Sequence, residues 1–302
     1  MRYLHSLTVV LMSVAAHGAS SQEVTHGSCR LTKGFDHPTK HSGTRPVFTD
    51  QSSLFFTAPM AVNTDGAPTS HHPDDPYGSE GKAINTICNG ANAILPDRTK
   101  LNYSRCRDLV AAYREAKAAD WENENRPRMQ FYGIASNGHT PCTIENGEYS
   151  GYFVSTTSLA ADPGKSNCDQ DRYLNSLEIP FAIYPNARAF KERGVGKKDV
   201  VVYFNPTTGV VEFGIIGDRG PRWGMAEGSV AFARALNMRT ENPQSRKDTY
   251  RFSVAKAHAL MLPNASLEPP YTRENVRQRA QEAFDDWGGR ARFNACVAEH
   301  GT

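Results

Sequence analysis

The chain has 302 residues and a net charge of +2, from 34 Lys and Arg against 32 Asp and Glu. Near balance and without a long basic run, it offers no footprint for nucleic acid, and any attraction for a cationic polymer must come from local carboxylates. Once an N-terminal signal is removed, about 280 residues remain, enough to bury a sizeable core as one large domain or two.

Residues 1–19 carry the marks of an export signal. Arg2 and His5 precede a mostly apolar run over 7–16, and Ala16-His17-Gly18 and Gly18-Ala19-Ser20 offer small residues for cleavage. The run is too short to span a bilayer, and no later apolar stretch is long enough. A secreted, extracellular or periplasmic protein is therefore expected, with no membrane partner after cleavage. Cys29, Cys88, Cys106, Cys142, Cys168 and Cys296 all lie beyond the signal, even in number and without a CxxC pair. That pattern indicates structural disulfides rather than a zinc ribbon or a redox site. Spacing alone does not set the connectivity, although Cys29 and Cys296 are a candidate pair that would tie the chain ends together.

Residues 20–52 are rich in Ser, Thr, His, Gly and Pro, and read as a weakly structured segment. A globular domain is expected over 53–262, followed by a helical extension, 263–302, packed on it. Strands are expected at 54–62, 130–135, 151–156, 179–184, 199–205 and 210–216, the last two joined as a hairpin through Pro206-Thr207-Thr208-Gly209. Helices are expected at 104–121, at 230–237 behind a Ser229 cap, and at 273–287, with Thr272 as cap and Gly288-Gly289 as stop. Short strands predominate and do not alternate with helices. The expected fold class is α+β, mainly β, with a six-stranded barrel-like core and inserted and C-terminal helices.

The most informative stretch is 214–238, GIIGDRGPRWGMAEGSVAFARALNM. An apolar run ends at Gly217-Asp218, a Gly/Pro loop follows, and Glu227 precedes a capped helix. Two carboxylates thus flank one tight loop, the minimum equipment of most glycosidases: one protonates the leaving oxygen while the other activates water or attacks the anomeric carbon. Taken singly, Asp218 reads as a turn carboxylate and Glu227 as a charge favoured by a helix N-terminus. That helix dipole lowers a carboxyl pKa, whereas a proton donor needs a raised one. Trp223, inside the loop, is a candidate sugar contact, and Arg219 sets a cation beside the pair.

A second polar cluster spans 63–81. His71, His72, Asp74 and Asp75 could ligate a metal, but the prolines around them favour a turn-rich loop. The preferred reading is a groove wall, with Asp65 and Asp74 binding ammonium or hydroxyl groups of a substrate. No metal or cofactor is expected. The signatures G-x-S-x-G, H-E-x-x-H, P-loop and G-x-G-x-x-G do not occur.

Several pieces in order carry a family resemblance: Phe56-Thr57-Ala58-Pro59-Met60 running into Asp65-Gly66, Gly151 to Thr157, Ile179 to Pro185, Gly217 to Pro221, and Ala226 to Ala233. Over roughly 54–238 the chain resembles the fungal-type chitosanases, glycoside hydrolase family 75, and their bacterial relatives. The resemblance implies a secreted endo-hydrolase that cleaves β-1,4-linked glucosamine polymer with inversion, using an Asp and a Glu at the positions of Asp218 and Glu227. Arg219 and Pro221 depart from the small polar residues of the fungal turn. The expected protein is a monomer acting on a polysaccharide, with Asp218 as base and Glu227 as proton donor. Its alternatives are a hydrolase or effector acting on another amino-sugar polymer such as peptidoglycan, and a secreted carbohydrate-binding protein without chemistry.

Overall fold

The computed structural model describes residues 27–40, 43–122 and 124–302. The proposed export signal lies outside them. The strands are β1 (Thr32–Pro38), β2 (Thr44–Thr49), β3 (Leu54–Asn63), β4 (Ala91–Ile94), β5 (Lys100–Leu101), β6 (Arg128–Phe131), β7 (Ser136–Asn137), β8 (Thr140–Pro141), β9 (Phe181–Pro185), β10 (Asp199–Asn205), β11 (Val210–Gly220), β12 (Glu227–Ser229) and β13 (Val254–Ser266). The helices are α1 (Cys106–Ala118), α2 (Arg188–Lys191), α3 (Val230–Leu236), α4 (Arg246–Thr249), α5 (Arg273–Trp287) and α6 (Gly289–His300).

The expected barrel forms. Strands β3, β12, β9, β11, β10 and β13 hydrogen-bond in that order, and β13 returns to β3, with Leu260 opposite Phe55 and Ala259 opposite Phe56. Alternate residues sort to the two faces. Phe56, Ala58 and Met60 of β3, Val201 and Tyr203 of β10, and Ala259 and Met261 of β13 share one buried cluster with Phe232 of α3. Phe55, Val200, Val202, Leu260 and Leu262 point the other way, beneath Phe284 of α5 and Phe293 of α6. The long C-terminal helices can pack only on the outside of a closed barrel, so the first cluster is its interior. Burial on both faces explains why β10 and β13 read as near-continuous apolar runs rather than as alternation.

An insertion between β3 and β9 builds a second core. α1 lays Leu109, Val110 and Tyr113 against the β5–β4–β6 sheet, and Cys88–Cys106 ties the helix start to the 3₁₀ turn at Ile87–Asn89. The other disulfides are Cys142–Cys168 and the expected Cys29–Cys296. Three disulfides fit a protein of an oxidising compartment. Among the described residues, no helix is long and apolar enough to cross a membrane.

Four expectations require correction. The segment 20–52, read as weakly structured, carries β1 and β2 in its described part; these pair as a hairpin, and β2 joins β3 through Phe48 opposite Phe55. Residues 151–156 form only isolated bridges, Phe153 to Thr143 and Ser155 to Ile134. The expected boundary at 262/263 falls inside β13, whose Ala and Leu content hides a strand that two barrel neighbours impose. Finally, Gly288-Gly289 ends α5 as expected, but α6 starts at once from the same pair.

Cys29 and Cys296 are 267 residues apart and both fully buried. Replacing both with Ala should cost about 2–5 kcal/mol of stability. Urea denaturation with the other two disulfides intact measures it, and an unchanged midpoint would show that the terminal tie contributes nothing.

Candidate active site

Asp218 and Glu227 reach one place because β9 runs between their strands. Asp218 on β11 and Glu227 on β12 both stand opposite Ile183, on its two sides. Two strand spacings, about 10 Å, therefore separate their backbones, and in-register side chains emerge on the same face. A register shift between Ile216 and Asp218 makes this possible. Ile216 points into the barrel. The extra residue, Gly217, re-aims Asp218 toward the outer face, as bulges do. A Cβ on Gly217 would meet Leu174 and Phe181 at 2.6 and 2.7 Å, so only glycine fits there.

A third carboxylate joins them. Asp65 follows the end of β3 in a turn set by Asn63, whose Oδ1 accepts from the Asp65 N–H at 2.7 Å and whose Nδ2 donates to Asp65 Oδ2 at 3.3 Å. The next residue, Gly66, has φ +84°, and a Cβ there would lie 2.0 Å from the Leu174 carbonyl oxygen. Its N–H donates to Ser155 Oγ at 3.0 Å, and Gln170 Nε2 donates to both the Gly66 and Ser155 carbonyls. Three residues on, the Ser158 N–H donates to Asp218 Oδ1 at 2.9 Å. Residues 155–158 thus act as a strap that holds the Asp65 turn and Asp218 together.

All three carboxyls are held above their ordinary pKa. Burial is the main cause for Asp65, followed by the charge of Asp218, with Glu227 adding to it. Asp65 Oδ1 is buried with no hydrogen-bond partner among the described residues. Burial also raises Asp218, offset in part by the N–H groups of Arg219 and Ser158. For Glu227 burial again dominates, the Asn63 amide opposes it, and Asp218 reinforces it. The depression expected for Glu227 is not seen: it stands in β12, two residues before the Ser229 cap, and burial is the main cause that raises its carboxyl.

The other expected site residues divide. Arg219, exposed at the end of β11, and Trp223, exposed on the loop that follows, lie between the two catalytic candidates, with Trp223 next to Gly224, which faces Glu227. Asp74 is not brought to this group. It pairs with Lys117 at 2.6 Å on the α1 side, and that cation holds its carboxyl below the usual range. The His/Asp cluster disperses as well. Asp75 accepts backbone N–H groups of Ser79, Glu80, Lys82 and Ala83; His72 Nδ1 accepts from the Asp74 N–H; burial pushes His71 down to about 3, leaving it neutral. Sequence reading missed Asn63, Ser155, Ser158 and Gln170. The available signals were Asn63 two residues before Asp65-Gly66, an Asx-turn pattern, and the polar run Ser155 to Ser158.

A carboxyl whose folded pKa is raised favours folding only while protonated, and that contribution is lost as pH rises through the folded pKa. Asp65→Asn should therefore raise stability at pH 7, and the gain should vanish as pH falls toward about 4, the unfolded value. Denaturation curves across pH test this; a variant less stable than wild type at pH 7 would contradict the burial of a repelled charge. Compared with known proteins, the sequence matches no family model and no curated protein.

Proposed function

We propose that the protein is a secreted endo-glycoside hydrolase that cleaves a β-1,4-linked amino-sugar polymer by a two-carboxylate, inverting mechanism. One observation carries this reading: Asp218 is buried and Asp65 and Glu227 half-buried beside it at the barrel rim, each raised by desolvation, with the charge of Asp218 raising the other two further. Burying like charges costs stability, and such clusters are characteristic of sites that manage protons.

In this mechanism Glu227 holds a proton and delivers it to the glycosidic oxygen as the bond to the anomeric carbon breaks. Asp218, whose anion is steadied by the Ser158 and Arg219 N–H groups, takes a proton from the water that attacks the opposite face of the sugar. Asp65, whose carboxyl burial and then the Asp218 charge hold well above the usual range, flanks the pair as a positioning residue. Gly220 and Gly224 keep the approach to Glu227 free of side chains.

Chitosan is the substrate the family resemblance implies. A second reading, a polymer carrying carboxylates such as the glycan of peptidoglycan, is favoured by one observation: Arg219 at the end of β11 and Arg222 on the loop after it are exposed between Asp218 and Glu227 in the chain, where an ammonium-rich polymer would be repelled.

Asp218→Asn and Glu227→Gln should each fold normally and lose about a hundred- to ten-thousandfold in turnover. Release of reducing ends from chitosan, chitin and bacterial sacculi, run in parallel, tests both the pair and the substrate. Near-wild-type turnover in either variant would reject the assignment.

A further inference from the structure

Three exposed tyrosines follow one another away from the carboxylates. Tyr132, Tyr103 and Tyr250 are 55%, 46% and 59% exposed. The Tyr132 hydroxyl donates to the Cys88 carbonyl at 3.2 Å. Its chain neighbour Gly133 faces the carboxylates, since a Cβ there would lie 3.5 Å from Asp65 Oδ1. The Tyr103 hydroxyl accepts from Arg246 Nη2 at 3.2 Å, and the Arg246 guanidinium stands 5.6 Å over the Tyr250 ring. One segment seats all of them. The Arg246 N–H donates to the Gly78 carbonyl, the Thr249 hydroxyl donates to that of Ile84, and Cys88–Cys106 holds the turn after Tyr103.

A row of exposed rings beside a cluster of carboxylates reads as a binding surface rather than scattered hydrophobicity. Tyrosine suits it, with an apolar face for a ring and a hydroxyl for polar groups. The charge along the row is positive. Arg246 spends one of its N–H donors on Tyr103, and among the described residues no carboxylate lies within ion-pair distance of it. Asp248, on the same short helix, turns instead to Arg251 at 3.7 Å and to the Gln244 N–H. Lys40 stands 6.0 Å from the Tyr103 ring centre. Arg219 and Arg222, exposed between Asp218 and Glu227 in the chain, carry the same sign.

Building on the hydrolase reading, we infer that Tyr132, Tyr103, Arg246 and Tyr250 form a glycan-binding strip leading out of the carboxylate site, and that Arg246 selects a sugar bearing a carboxylate. A guanidinium between two rings presents paired donors to a carboxylate while the rings stack on the chain, and the same cation repels glucosamine. The substrate is then an acidic amino-sugar polymer rather than chitosan.

The test uses the full chain carrying Glu227→Gln, so that binding is read without turnover. It is titrated calorimetrically at low salt with three probes: peptide-free peptidoglycan glycan strands, N-acetylglucosamine oligomers and glucosamine oligomers. The carboxylated strands should bind at least about tenfold more tightly than the glucosamine oligomers. Arg246→Gln should remove that preference, and Arg246→Lys should restore part of it. Tyr250→Ala should weaken every glycan that binds by about tenfold. Equal or tighter binding of glucosamine oligomers, no binding of any probe, or an unchanged preference in Arg246→Gln at an unchanged melting temperature overturns the strip. Cleavage by the wild-type protein is measured separately. Binding without cleavage sinks the hydrolase reading and keeps the strip; cleavage without the Arg246 effect does the reverse.

Discussion

The barrel and its rim both follow from β3 being hydrogen-bonded along its two edges. It pairs antiparallel with β13 over Leu54–Met60 and parallel with β12 at Ala61, Val62 and Asn63. The first pairing closes the barrel and leaves no free edge between β3 and β13. The second draws Glu227 to the end of β3, close to the turn that presents Asp65. The narrow interior is filled by small residues such as Ala58, Ala182 and Ala259 around Tyr203 and Phe232, so the barrel is a packed scaffold and the chemistry is confined to its rim.

The rim is held by polar contacts that the barrel alone does not supply. Three carboxylates close together repel, and desolvation raises the cost of each. The opposing interactions are local and specific: Asn63 on Asp65 and Glu227, and the Ser158 and Arg219 N–H groups on Asp218. The strap that delivers Ser158 is itself fixed by Gln170, which hydrogen-bonds both Ser155 and Gly66. The Cys142–Cys168 disulfide lies two residues from Gln170 and ties that segment to the stretch around Cys142, both within the insertion. The insertion therefore serves the site as well as carrying its own core.

Much of the framework was legible in the chain. The hairpin of β10 and β11, the Ser229 cap and the α5 boundaries follow from turn chemistry, capping and period, because each depends on neighbours a few residues away. The elements that were missed share one property, dependence on distant partners. Segment 151–156 looks like a strand by composition, yet the Ser155 hydroxyl accepts from the Gly66 N–H and the Ser155 N–H donates to the Gln170 side chain, in place of a ladder. β12 has only three residues, and it exists because β3 and β9 flank it.

The same division runs through the site. Residue type and short spacing were enough to establish that Asp218 and Glu227 flank one glycine-rich loop, that Asp65 ends a strand in a tight turn, and that six cysteines pair off. Packing in three dimensions was needed to place Asp65 with the pair and Asp74 with Lys117, to make Gly217 re-aim Asp218, and to raise the Glu227 carboxyl by burial. Desolvation and charge coupling depend on what surrounds a group in space, and spacing along the chain carries no record of that.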